Sequence, residues 1–144
     1  MASARENDLN PDIRIGLKLP FNRGNSGLFP QTETTLEQAG SNIKNLLLTA
    51  KGERVMQPEF GSRLRELLFE QQTEDLDQRI KEEIQESISF WLPYIVISSV
   101  EIVQDETNIN QSKVNLNFSL NYEPNRFDSI TLNFDNTSES TSGY

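Results

Sequence analysis

The chain has 144 residues, 35% of them hydrophobic, and its 13 basic and 22 acidic side chains leave a formal net charge of −9. That length fits one domain with a modest core, and the acidic balance disfavours nucleic acid, anionic lipid and anionic cell wall, which require clustered Lys and Arg. The chain contains no histidine and no cysteine, which excludes a disulfide framework and thiolate chemistry and removes the usual metal ligand and general base.

Both ends, MASARENDLN and NTSESTSGY, are poor in core formers. Residues 1–12 and 135–144 therefore read as flexible tails around a domain at 13–134. No apolar run approaches a membrane span, and the first residues lack a signal peptide's apolar core. Within the domain, IRIGLKLPF (13–21) alternates, with Ile13, Ile15, Leu17 and Leu19 on one face, and predicts a short strand ended by Pro20. NRGNSG (22–27) is a turn-rich loop.

A helix follows. Thr34 and Glu37 have capping-box spacing, and Leu36, Ala39, Ile43, Leu46, Leu47 and Ala50 recur at helical steps, with Gly52 placed to end the run. Pro58 and Gly61 forbid a continuous helix through 52–61, after which Ser62 can cap a short helix with Leu64, Leu67 and Leu68 inward. A longer helix begins near Thr73. Acidic residues occupy its first turn, Asp75–Arg79 and Asp77–Lys81 have favourable spacing, and Leu76, Ile80, Ile84, Ile88 and Trp91 form a stripe stopped by Pro93.

The period then changes to two. IVISSVEIV (95–103), KVNLNFSLNY (113–122) and Ile130, Leu132 and Phe134 read as strands, with Val114, Leu116, Phe118, Leu120 and Tyr122 facing the core. DETNINQ (105–111) and EPNRFD (123–128) are the expected connections. The prediction is an α+β fold: an antiparallel three- to four-stranded meander packed against two main helices plus a short helix. Residues 129–134 are expected towards an edge of that sheet.

Residues 51–70, KGERVMQPEFGSRLRELLFE, hold the concentrated functional signal. Glu53, Glu59 and Glu70 are the candidates for a glycosidase-like carboxylate pair, but an acidic protein supplies such pairs without function. The glycines lack the spacing and context of a phosphate loop, and no segment has calcium-loop spacing. Phe60, Phe69 and Trp91 read as core fillers. Glu53 and Arg54 either pin a turn locally or reach a partner, for which the Arg fork suits a carboxylate. Lys51, Arg54, Arg63 and Arg65 concentrate positive charge ahead of an acidic run from Glu70 to Glu86, a polarity that serves either assembly or a solvated helix face.

GLKLPF (16–21), LLLTAKGERVMQPEFGSRLRELLFE (46–70) and the helix–Pro–strand junction at 91–97 together resemble the gene 25-like family of baseplate wedge proteins from contractile-tailed phages, which has a counterpart in type VI secretion baseplates. The likeness covers roughly residues 13–134. Its central block reads Thr49, Gly52, Glu53, Arg54, Pro58, Phe60 and Gly61, then Leu64, Leu67, Leu68 and Phe69. Many members carry Glu-Pro-Arg at the end of the long helix, where this chain has Leu92-Pro93-Tyr94. The helix stop is kept and both charges are lost, so partner contacts there would be apolar or through the tyrosine hydroxyl.

The resemblance implies a structural virion protein of the tail baseplate, assembled in the host cytoplasm, that links the wedge to the first sheath ring and templates it. Implied partners are other wedge proteins, the tail sheath protein and central hub or tube proteins, with neither nucleic acid nor membrane. Glu53, Arg54, Leu92, Pro93 and Tyr94 are the implied contact residues, with Gly52, Pro58, Phe60 and Gly61 as the structural motif. No catalytic residue, cofactor or metal is implied. The competing readings are a peptidoglycan-cleaving, lysozyme-like hydrolase and a baseplate subunit of a type VI or related injection system.

Overall fold

The computed structural model describes residues 6, 8–10, 12, 14–19, 31–71, 73–104 and 111–135. Ile13, Pro20, Phe21, the loop at 22–27, the connection at 105–110 and the segment from 136 onward lie outside the described residues. In chain order the elements are β1 (Gly16–Leu17), β2 (Gln31–Thr32), α1 (Thr35–Leu48), α2 (Leu64–Leu68), α3 (Leu76–Trp91), β3 (Ile95–Gln104), β4 (Gln111–Leu120) and β5 (Glu123–Asp135). The fold is α+β, with a three-stranded antiparallel meander in the order β3-β4-β5 and a separate β1–β2 pair.

The first predicted strand shrinks to the two residues of β1, and Leu17 is exposed. β1 pairs with β2 and lies against α1 instead of joining the large sheet, and Ile15 and Leu19 on either side of it are half-buried.

α1 starts where its cap predicts. The Glu37 N–H donates to Thr34 Oγ1 at 3.2 Å, while the Glu37 carboxylate accepts from the Glu33 N–H at 3.1 Å, one residue before the usual capping-box position. Leu36, Ala39, Ile43, Leu46 and Leu47 are buried. Ala50 is exposed and lies beyond the helix, because the chain turns extended at Thr49, ahead of Gly52. The positive φ of Gly52 serves the next turn instead of the helix end. Ser62 accepts from the Leu64 N–H at 3.4 Å, so it supports the first turn of α2 from one residue outside the cap position at Arg63.

α3 buries Leu76, Ile80, Ile84 and Ile88 and stops at Leu92 before Pro93. Among the described residues neither Asp75–Arg79 nor Asp77–Lys81 forms. Arg79 instead meets Glu70 at 2.9 Å, since an i,i+4 surface pair is worth only a few tenths of a kcal/mol and loses to a well-placed tertiary partner.

β4 is central and β5 lies at an edge, as expected. Val114, Leu116, Phe118 and Leu120 face inward, opposite Ile102, Val100, Ile97 and Ile95 of β3, and Leu132 and Ile130 of β5 face Val114 and Leu116. Tyr122 does not extend this row. It sits in the β4–β5 turn, 43% exposed. The expected connection at 123–128 is already strand: Leu120 faces Glu123 and Ser119 faces Phe127, leaving residues 124–126 as a bulge. Pro124 fits there because a bulge needs no ladder donor. α1 packs beneath β5 and α3 beneath β3, which closes the core on one face of the sheet. Each large apolar side chain so buried contributes about 1.5–3 kcal/mol.

Candidate functional site

The central sequence block folds into a closed loop between α1 and α2. Its ends are tied by the Ser62 N–H donating to the Thr49 carbonyl at 2.9 Å and by a parallel bridge between Ala50 and Ser62. Inside, the Gly52 N–H donates to the Pro58 carbonyl at 2.7 Å, the Glu53 N–H to Ala50 at 3.1 Å and the Phe60 N–H to Gln57 at 3.1 Å. The Glu53 carboxylate accepts from the Ala50 N–H at 2.9 Å. Gly52 and Gly61 have φ of 90° and 121°. At Gly61 a Cβ would also collide with the Thr49 carbonyl oxygen, so both conformation and space demand glycine.

The Arg54 guanidinium lies 3.9 Å from the Phe60 ring centroid and donates to Asn45 Oδ1 at 3.3 Å. Phe60 meets Trp91 edge-on, with centroids 5.2 Å apart, and Trp91 meets Phe90 at 5.0 Å. Phe60, Phe69 and Trp91 are half-buried at the margin of the core, not inside it. The stack Arg54–Phe60–Trp91 couples the loop to the end of α3, and with it the two groups of candidate contact residues.

In the second group, Leu92 is half-buried, Pro93 is exposed and the Tyr94 hydroxyl accepts from Asn42 Nδ2 at 2.8 Å. Asn42 in turn accepts from Gln38, and Gln38 from the Thr32 hydroxyl. Asn42 and Asn45 therefore hold Tyr94 and Arg54 from one face of α1. The sequence carries a signal for this, a polar stripe at Gln38, Asn42, Asn45 and Thr49 beside the apolar one, but a stripe does not disclose its partners.

Glu83 is the other residue that sequence reasoning misses. Its largely buried carboxylate accepts from the Arg63 N–H at 2.9 Å and lies 3.7 Å from Lys51 Nζ. The basic opening of the segment and the acidic run of α3 thus meet through Lys51 and Glu83 at the protein's surface. Glu53 is occupied by the loop backbone, Glu59 is exposed, and Glu70 is paired with Arg79. Glu70 also lines an open groove of about 270 Å³ with Glu66, Glu82, Glu83 and Glu86.

Residues 35–126 match the family model described as "Baseplate wedge protein gp25". Baseplate protein W of Escherichia phage P2 is 35% identical over 69 residues, 48% of this chain and 60% of that protein, so the chain spans less than two thirds of this relative's length. A Geobacter sulfurreducens crystal structure described as a candidate tail lysozyme superposes with a TM-score of 0.64 at 22% identity, over 76% of this chain and 97% of the other. A chain of the anti-feeding prophage baseplate superposes at 0.54 with 20% identity, over 88% and 87%. At these identities the two structures establish a shared fold.

Proposed function

Because the chain belongs to the baseplate wedge protein gp25 family, we propose that it is a structural subunit of a contractile-tail baseplate in the virion, linking the wedge to the first sheath ring and templating that ring without catalysis. Other wedge proteins and the tail sheath are its partners, with the central hub or tube as a further neighbour. Residues 13–134 act as the wedge domain. The loop at 53–54 and the turn at 92–94, coupled through Phe60 and Trp91, form one partner-facing edge.

The observation that carries the templating role is the sheet itself. β3 and β5 are long outer strands, 10 and 13 residues, each paired with β4 on one side only among the described residues. Outward N–H and C=O groups of such strands accept an added strand from another chain. The test is a proline in β5 at a residue whose N–H points away from β4, which removes a donor without emptying the core. Folded variant that enters baseplates but fails to start sheath supports the role, and normal sheath growth overturns it. Purified protein should leave peptidoglycan intact. Turnover that is lost on substituting Glu53 or Glu59 would establish the hydrolase instead.

A further inference from the structure

We infer that Asn42 is a positioning residue for the turn at 92–94: it commits the Tyr94 hydroxyl to act as a donor, so that the turn recognises a carbonyl or carboxylate oxygen on the neighbouring wedge protein. The inference deepens the partner-facing edge proposed above and rests on it. Tyr94 is held at three points. Its carbonyl accepts from the Asn121 N–H at 3.0 Å, its ring packs at the margin of the core, and its hydroxyl oxygen accepts from Asn42 Nδ2 at 2.8 Å. A phenol has one proton to give. Since Asn42 donates to the oxygen, that proton is not directed at Asn42, and among the described residues no other group accepts it. A half-buried group already fixed in place loses little conformational entropy on docking.

The direction of the relay is set at its far end. Asn42 Oδ1 accepts from Gln38 Nε2 at 2.9 Å, and Gln38 Oε1 accepts from the Thr32 hydroxyl at 2.7 Å. Thr32 is fully buried. Turning both amides over would make its hydroxyl the acceptor and leave its proton to find another partner in that buried position, which disfavours the reversal. Gly16 leaves room for the Gln38 amide, because a Cβ there would collide with Gln38 Oε1. Each amide thus accepts on the side of Thr32 and donates on the side of Tyr94. Side chain–side chain bonds are the minority class in proteins, and three in series are more than a hydroxyl at the core margin needs for its own solvation. Leu92 and Pro93 carry no hydrogen-bonding side chain, so Tyr94 alone sets the polar preference of the turn. A partner oxygen fits it, and a partner N–H or ammonium facing the same spot is left unpaired.

The test uses tails purified from cells that express the full-length chain, with each variant competing against wild type for incorporation. Tyr94→Phe removes the donor and keeps the ring. Asn42→Asp keeps both of its hydrogen bonds but turns the second one round: the carboxylate still accepts from Gln38, and now accepts from the Tyr94 hydroxyl too, drawing the proton inward. A purely structural Asn42 would tolerate that exchange. Both variants should melt close to wild type and be depleted from particles about 3- to 10-fold, as for the net loss of one hydrogen bond. Asn42→Asp placed in the Tyr94→Phe background should add no further loss, since its effect passes through the hydroxyl. Equal incorporation of either single variant overturns the inference, and so does an additive loss in the double variant. Sedimentation of the purified chain should not differ between wild type and Tyr94→Phe; self-association that Tyr94→Phe abolishes would make the acceptor a second copy and overturn its assignment to another protein. Wild-type chain absent from purified tails overturns the wedge reading itself, a result distinct from wild type present with an indifferent Tyr94.

Discussion

Phe118 and Phe60 are the same side chain in two different regions. Phe118 lies on the central strand, completely buried among residues from both main helices and the sheet. Phe60 lies in the closed loop, half-buried between Arg54 and Trp91. The sheet–helix core is redundant: many apolar contacts share its stability, and each can partly relax around a loss. The loop is serial. It rests on a few hydrogen bonds, two glycines and one stack, so single changes open it without unfolding the domain.

The sharpest test of that contrast is Phe118→Ala, which should cost about 3–5 kcal/mol in urea unfolding through the cavity it leaves. Gly61→Ala comes next, at roughly 1–3 kcal/mol, because it forces a Cβ into a left-handed conformation and onto the Thr49 carbonyl. Its effect should concentrate in hydrogen exchange at Ser62 and Gly52, whereas Phe118→Ala should lower protection throughout β4. Phe60→Ala should cost about 1–2 kcal/mol, since a fully buried ring would cost 3–5 and this one is half-exposed. A loss equal to that of Phe118→Ala would mean that loop and core are one cooperative unit.

A smaller effect is expected at high pH. Partial burial raises the Tyr122 phenol above its ordinary 10.0, against the lowering effect of a Thr35 hydrogen bond, with the carboxylates of Asp8 and Glu123 and the Tyr94 ring adding to the rise. With the folded value above the unfolded one, the unfolded chain releases its proton first. The stability tied to that proton is complete below pH 10 and declines as pH climbs through the folded value. Wild type and Tyr122→Phe should therefore diverge only in alkaline melts, with wild type losing stability faster. The smallest effect belongs to Val55→Ser/Met56→Ser, expected within about 0.5 kcal/mol of wild type in the same melts, so any assembly defect it shows is a contact defect.

The helices were largely legible because a period near 3.6 is a local property: Ile43, Leu46 and Leu47, or Ile80, Ile84 and Ile88, announce their face without knowing what covers it. The strands at 95–104 and 111–120 were legible for the same reason at period two. The start of β5 was not. Residues 123–128 carry turn-forming Pro and Asn, and pairing with β4 decides their state. In the candidate site, Gly61 could be read from the chain as a helix breaker, but not that its φ and the Thr49 carbonyl demand glycine, that Arg54 would lie on Phe60 or that Asn42 and Asn45 would hold Tyr94 and Arg54.

By itself the sequence determined the class of fold, the order of helix and strand, the buried stripes and the family block at 49–69, all of which depend on residues close together along the chain. Tertiary structure alone decided that Arg79 takes Glu70 over Asp75, that Glu83 holds Lys51 and Arg63, and that Arg54 lies on Phe60 while Val55 and Met56 face solvent. Those choices are made between groups distant along the chain, each worth about a kcal/mol or less. No local pattern ranks such alternatives until packing brings the competing partners within reach.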